Sequence, residues 1–111
     1  MRIIWSPLAL ERIGEIAAYI AQDNPEAARC WAEGIFASVK NLSSFPESGR
    51  RLPEVRRKDL REIVMGNYRL IYRVKGEEIA VLTIRHFRQV LPIEEVNETV
   101  AASWVAGTLG T

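Results

Sequence analysis

The chain has 111 residues, 48% hydrophobic and 26% charged, the proportions of one globular domain and not of a disordered segment. Its formal net charge of +1 shows no overall bias toward nucleic acid, and its one cysteine, Cys30, excludes an internal disulfide. With a single histidine, His86, a conventional zinc site is excluded as well, so no metal or cofactor is expected. The N-terminus lacks the apolar run of a signal peptide. No stretch approaches the roughly 20 apolar residues needed to cross a bilayer, and a cytoplasmic location is expected.

Residues 2–5 read as a short strand. Ser6 is a good helix N-cap and Pro7 suits the first helical position, so a helix is predicted over 7–22, with Leu8, Ile13, Ile16, Ala17 and Ile20 on one face. Asn24-Pro25-Glu26 repeats that start signal, and Ala28, Trp31, Ala32, Ile35, Phe36, Val39 and Leu42 form a stripe at helical spacing. A second helix is predicted over 25–44, antiparallel to the first. Phe45-Pro46-Glu47-Ser48-Gly49 breaks it, and the basic residues 50–59 read as a loop.

Strands are predicted over 60–65, 68–74 and 78–86. Gly66-Asn67 is a two-residue hairpin turn, which pairs Met65 with Tyr68, Ile63 with Leu70 and Glu62 with Ile71. Alternation then assigns two faces. Arg61, Ile63, Met65, Tyr68, Leu70, Tyr72, Val74, Ile79, Val81, Thr83 and Arg85 form the first, which should carry the helices. Leu60, Glu62, Val64, Arg69, Ile71, Arg73, Ala80, Leu82, Ile84 and His86 form the second. That second face mixes apolar and ionic groups. It is a binding or active surface unless the C-terminal segment covers it. In that segment Ile93, Val96, Val100 and Trp104 suggest a short helix, followed by a frayed end. The fold class is α+β, in the order β-α-α-β-β-β with the helices on one sheet face. Residues 1–90 are expected to form the domain and 91–111 an extension.

The segments Phe45-Pro46-x-x-Gly49-Arg50, Leu60-Arg61-Glu62-Ile63-Val64-x-Gly66-Asn67-Tyr68-Arg69-Leu70-Ile71-Tyr72-Arg73-Val74 and Ile79–Arg88 together resemble the RelE/ParE superfamily of bacterial type II toxins. The early helix with Ala9, Ile13, Ile16 and Tyr19-Ile20 is similar too. The resemblance spans roughly residues 2–90. It implies a toxin neutralised by a cognate antitoxin, which often carries a ribbon-helix-helix DNA-binding domain. RelE-like members cut mRNA on the ribosome, whereas ParE-like members poison DNA gyrase.

A metal-free ribonuclease needs a base, an acid and cations for the developing phosphorane charge. RelE-like enzymes place lysines where this chain has Leu60 and Glu62; a leucine transfers no proton and a glutamate repels phosphate. The resemblance is therefore closer to the ParE-like branch, with gyrase as the target and no catalytic residue assigned. The alternative is a ribonuclease using Arg69, His86, Arg88 and Glu62. A third reading is a non-toxic scaffold that only binds antitoxin. The candidate partner contacts are Arg61, Glu62, Arg69, Ile71, Arg73, Leu82, Ile84 and His86. The net charge also hides an asymmetry: residues 1–49 sum to −2, residues 50–88 to +6 and residues 89–111 to −3. A basic half of this kind steers acidic partners.

Overall fold

The structure, a computed structural model, describes residues 1–97 and 105–106. Strand β1 (Arg2–Trp5) leads into α1 (Pro7–Asp23) and α2 (Pro25–Leu42). Then come β2 (Arg50–Arg51), β3 (Leu60–Met65), β4 (Tyr68–Lys75), β5 (Glu78–His86), a 3-10 turn (Ile93–Glu95) and β6 (Val105–Ala106). The α+β class is the one expected. None of the described helices is long and apolar enough to cross a membrane.

Local chemistry explains the helices. The Ser6 hydroxyl accepts the Ala9 N–H at 3.0 Å, and Pro7 follows where its missing N–H costs nothing. Asn24 does two jobs in one residue: its N–H closes α1 on the Ile20 carbonyl and its side chain accepts the Ala27 N–H of α2. So short a link forces the two helices antiparallel. They lie on the first sheet face, where Ala9, Ile13, Ile35, Val39 and Leu42 meet Trp5, Leu70, Tyr72 and Val81.

The expected three strands are the centre of a larger sheet, in the order β2-β3-β4-β5-β1-β6. β1 joins it parallel to β5, and the part of the basic loop read as irregular supplies β2 against β3. The hairpin pairings Met65–Tyr68, Ile63–Leu70 and Glu62–Ile71 are those expected. Gly66 and Gly76 both have φ +59° at the first central position of a two-residue turn, the pattern of type II′.

The proposed helix over Ile93–Trp104 is not what residues 93–95 form: they make a single 3-10 turn. Val100 and Trp104 lie outside the described residues.

Gly49 shows why the chain turns as it does before β2. Its N–H donates to the Tyr72 hydroxyl at 2.9 Å, and that hydroxyl donates to the Pro46 carbonyl at 2.8 Å. A Cβ on Gly49 would lie 2.5 Å from the Tyr72 oxygen and 2.6 Å from the Glu62 carbonyl oxygen, so only glycine fits. Arg61 fixes the same corner by donating to the Gly49 carbonyl at 2.8 Å. Burial pushes the Tyr72 phenol above its ordinary value.

Candidate partner-binding site

The two faces are as expected up to the middle of β5 and exchanged beyond it. Ile71 pairs with Thr83 and Tyr72 with Val81, which leaves Leu82 as an extra residue, a β-bulge. The cause is tertiary. The Leu82 carbonyl accepts the Ser6 hydroxyl at 2.6 Å, and the Val81 carbonyl accepts the Ser6 N–H at 3.0 Å. The junction of β1 and α1 thus claims this part of β5. After the bulge, Ile84 pairs with Leu70 and His86 with Tyr68, which puts both on the helix side. Thr83 and Arg85 move to the opposite face. The placement of Ile84 and His86 on the mixed face is corrected accordingly.

That mixed face is not open. Leu52, Leu60, Ile71, Ala80, Leu82 and Val96 form a second buried cluster, flanked by Val55 and Leu91. The cover comes from the loop after β2 and from the segment after β5. Of the expected partner contacts, Glu62, Arg69, Ile71, Leu82 and Ile84 are buried. Arg61 braces the Gly49 corner, and Arg73 reaches Glu78 at 3.4 Å. Of the eight, Ile84 and His86 line an open groove, Ile84 as part of its buried wall.

Glu62 and Arg69 of the mixed face sit in a linear ionic chain with Arg50 and Glu54. The Glu62 side chain, fully buried, accepts Arg69 Nε at 2.6 Å and Arg50 Nε at 2.6 Å. Arg69 turns its other edge to Glu54, donating from Nη2 at 2.8 Å and from Nη1. This fork-to-carboxylate geometry is the strong form of the contact. The hydrogen bond from Arg69 holds the Glu54 carboxyl below its ordinary value, and Glu54 with Glu62 raises the Arg69 guanidinium.

A second ionic knot ties down the C-terminal segment. Glu95 Oε2 accepts Arg12 Nη2 of α1 at 3.0 Å and Arg85 Nη1 of β5, and Glu95 Oε1 accepts the Thr83 hydroxyl at 2.8 Å. Farther along, Arg57 donates to Asn97 at 3.1 Å and pairs with Asp59, which lowers the Asp59 carboxyl. Glu54, Arg12 and Glu95 were not singled out in the sequence, and Arg50 only as the end of a family segment. Each is a lone charge in a polar stretch or on a helix surface, and only its partner across the fold marks it.

One open concavity is a groove of about 530 Å³ on the helix side, between α1 and the ends of β4 and β5. Leu8, Ile16 and Ile84 supply apolar wall, Glu11 and Glu15 two carboxylates, and Tyr68 with His86 an aromatic end. Rings continue past it in both directions. Trp31 meets Tyr68 at 5.6 Å, Tyr68 meets His86 at 5.7 Å, and His86 stacks on Phe87 at 5.3 Å with the Arg88 guanidinium over the outer ring. The four residues of the ribonuclease alternative are therefore divided. Glu62 and Arg69 are locked together on one face, while His86 and Arg88 lie at the other. Among the described residues, no group of three His, Cys, Asp or Glu side chains could hold a metal ion.

Comparison with known proteins places this geometry in context. The family model for the ParE toxin of the type II toxin–antitoxin system, parDE, matches residues 3–91. A Sinorhizobium fredii (strain NBRC 101917 / NGR234) protein titled "Putative toxin Y4kP" is 38% identical over 93 residues, 82% of this chain and 93% of that protein. A solved chain from the chromosomal ParDE TA system of P. aeruginosa superimposes with a TM-score of 0.63 at 26% identity, covering 78% of this chain and 95% of that one.

Proposed function

The chain belongs to the ParE toxin family of type II toxin–antitoxin systems, and on that footing we propose that it inhibits DNA gyrase and is neutralised by direct contact with a cognate antitoxin. The observation that carries the choice of gyrase over the ribosome is the state of positions 60 and 62. Leu60 is wholly buried in the second cluster, and the Glu62 carboxylate is enclosed by Arg50 and Arg69. Neither presents a proton donor or a cation to a phosphate, which is what a metal-free cleavage of RNA requires. Separation of His86 from Glu62 and Arg69 supports the same reading. The groove beside α1 is the antitoxin surface in this proposal, because its apolar wall and aromatic end suit an amphipathic segment that folds on binding. The resemblance implies a ribbon-helix-helix domain on that partner.

The test is a supercoiling reaction with purified gyrase and relaxed plasmid. Purified toxin should suppress supercoiling and accumulate cleaved DNA, and prior addition of antitoxin should restore activity. Unimpaired supercoiling at a large molar excess of folded toxin refutes the proposal.

A further inference from the structure

We propose that residues 93–96 are a resident plug in a docking site for an acidic–aliphatic segment of the antitoxin, whose carboxylate Arg12, Arg85 and Thr83 would hold. The proposal rests on the antitoxin reading above and names a further contact for that partner, at the edge of the same groove, which Arg12 and Arg85 also line.

Three donors from α1 and β5 converge on one carboxylate, that of Glu95. Two guanidiniums face this one carboxylate, with the Glu11 and Glu15 carboxylates along the same groove. Arg85 Nε, besides, is buried with no hydrogen-bond partner among the described residues. With the present occupant in place Arg85 keeps one donor unmet, and an occupant that met it would be bound more strongly. The next residue, Val96, drops into the apolar cluster of Leu60, Ile71, Ala80 and Leu82. Carboxylate and aliphatic side chain in succession are therefore the chemistry the site accepts.

The receptor and its occupant differ in kind. Arg12, Thr83 and Arg85, with all four cluster residues, fall within the span 3–91 matched by the family, whereas the plug lies beyond it. The plug is a three-residue 3-10 turn and the Val96 that follows it, with Ile93 half exposed, and Val90 before it is 86% exposed. It is held chiefly by Glu95 and Val96. A tethered segment of this length competes at an effective concentration in the millimolar range, so a free segment is masked until the plug weakens.

The probe is the blocked peptide Pro-Ile-Glu-Glu-Val-Asn, the chain's own residues 92–97, labelled with fluorescein and titrated into full-length protein. A Glu95→Gln protein should bind it at least tenfold more tightly than wild type. Adding Arg85→Gln to that protein should abolish the gain. Arg12→Gln in the same background provides a second arm should the Arg85 variant fail a circular-dichroism check of folding. Equal affinity of wild type and Glu95→Gln overturns the proposal, as does a gain that survives loss of the arginines. Gyrase inhibition and antitoxin pull-down by wild-type toxin are read independently. A failed titration with both intact removes the plug and leaves the function standing.

Discussion

Replacing Arg69 with methionine tests the ionic chain of the mixed face. The substitution keeps most of the side-chain volume and removes every donor that Arg69 gives to Glu62 and Glu54. Glu54 is 39% exposed and returns to water at little cost. Glu62 has no such exit: its side chain is 0% exposed and keeps only Arg50. Breaking a buried pair by removing one partner costs about 3–5 kcal/mol, and the surviving Arg50 contact places this case at the lower end, about 3 kcal/mol. An unfolding entropy of about 2.1 cal/mol/K per residue gives about 0.23 kcal/mol/K over 111 residues, so Tm should fall by about 13 °C. Urea unfolding followed by far-UV circular dichroism should show a lower midpoint with an unchanged slope. The double variant Arg69→Met/Glu62→Leu should recover most of the loss, because an apolar pair in place of a buried ionic one is close to neutral. A single variant that loses under about 1 kcal/mol would refute the reasoning, since it would mean that Glu62 finds water or a new partner.

Two further outcomes follow from the geometry. Gly49→Ala must displace the Tyr72 hydroxyl and the Glu62 backbone oxygen, at a cost of about 1–3 kcal/mol, typical of overpacking. Gly49→Ala/Tyr72→Phe should recover only part of it, because the backbone contact remains; full recovery in thermal melts would contradict the stated contacts. Acid should destabilise the fold through Glu54 and Asp59. Both folded carboxyls lie below their unfolded values, so the unfolded chain binds more protons and stability rises with pH in that range. Their contribution is complete above the unfolded values near pH 4.5 and 3.8 and is lost as pH falls through the lower, folded ones. Glu54→Gln should flatten that limb of a stability–pH curve; an unaltered limb would exclude Glu54 as a source.

The helices, the central hairpin and its register were legible because each is set by residues adjacent in the chain: Ser6-Pro7, Asn24-Pro25, Gly66-Asn67. The ParE-like resemblance was legible on the same grounds. What escaped was set across long separations. The bulge at Leu82 has no glycine or proline to announce it, and the period of two runs through it unbroken; it arises from Ser6, 76 residues away. The loop's share in covering the mixed face was equally hidden, whereas cover by the C-terminal segment was an open alternative. Leu52, Glu54 and Val55 are single residues in a basic stretch that reads as solvated loop. Ile93 and Val96 have helical spacing yet anchor only a 3-10 turn.

The bulge in β5 also bears on how a fold of this kind changes occupation over time. Parity along a strand is a one-bit code, and one surplus residue inverts every bit downstream. Here the inverted bits are Thr83 through His86: the bulge delivers Thr83 and Arg85 to Glu95 and sends His86 toward α1. Flattening the bulge with Leu82 retained would return the histidine to the side of Glu62 and Arg69 and withdraw the arginine from its carboxylate, whereas deleting Leu82 itself would keep the pairings of Thr83 through His86 as they are. A one-residue shift of register, with no substitution anywhere, is thus enough to reassign which side chains share a surface.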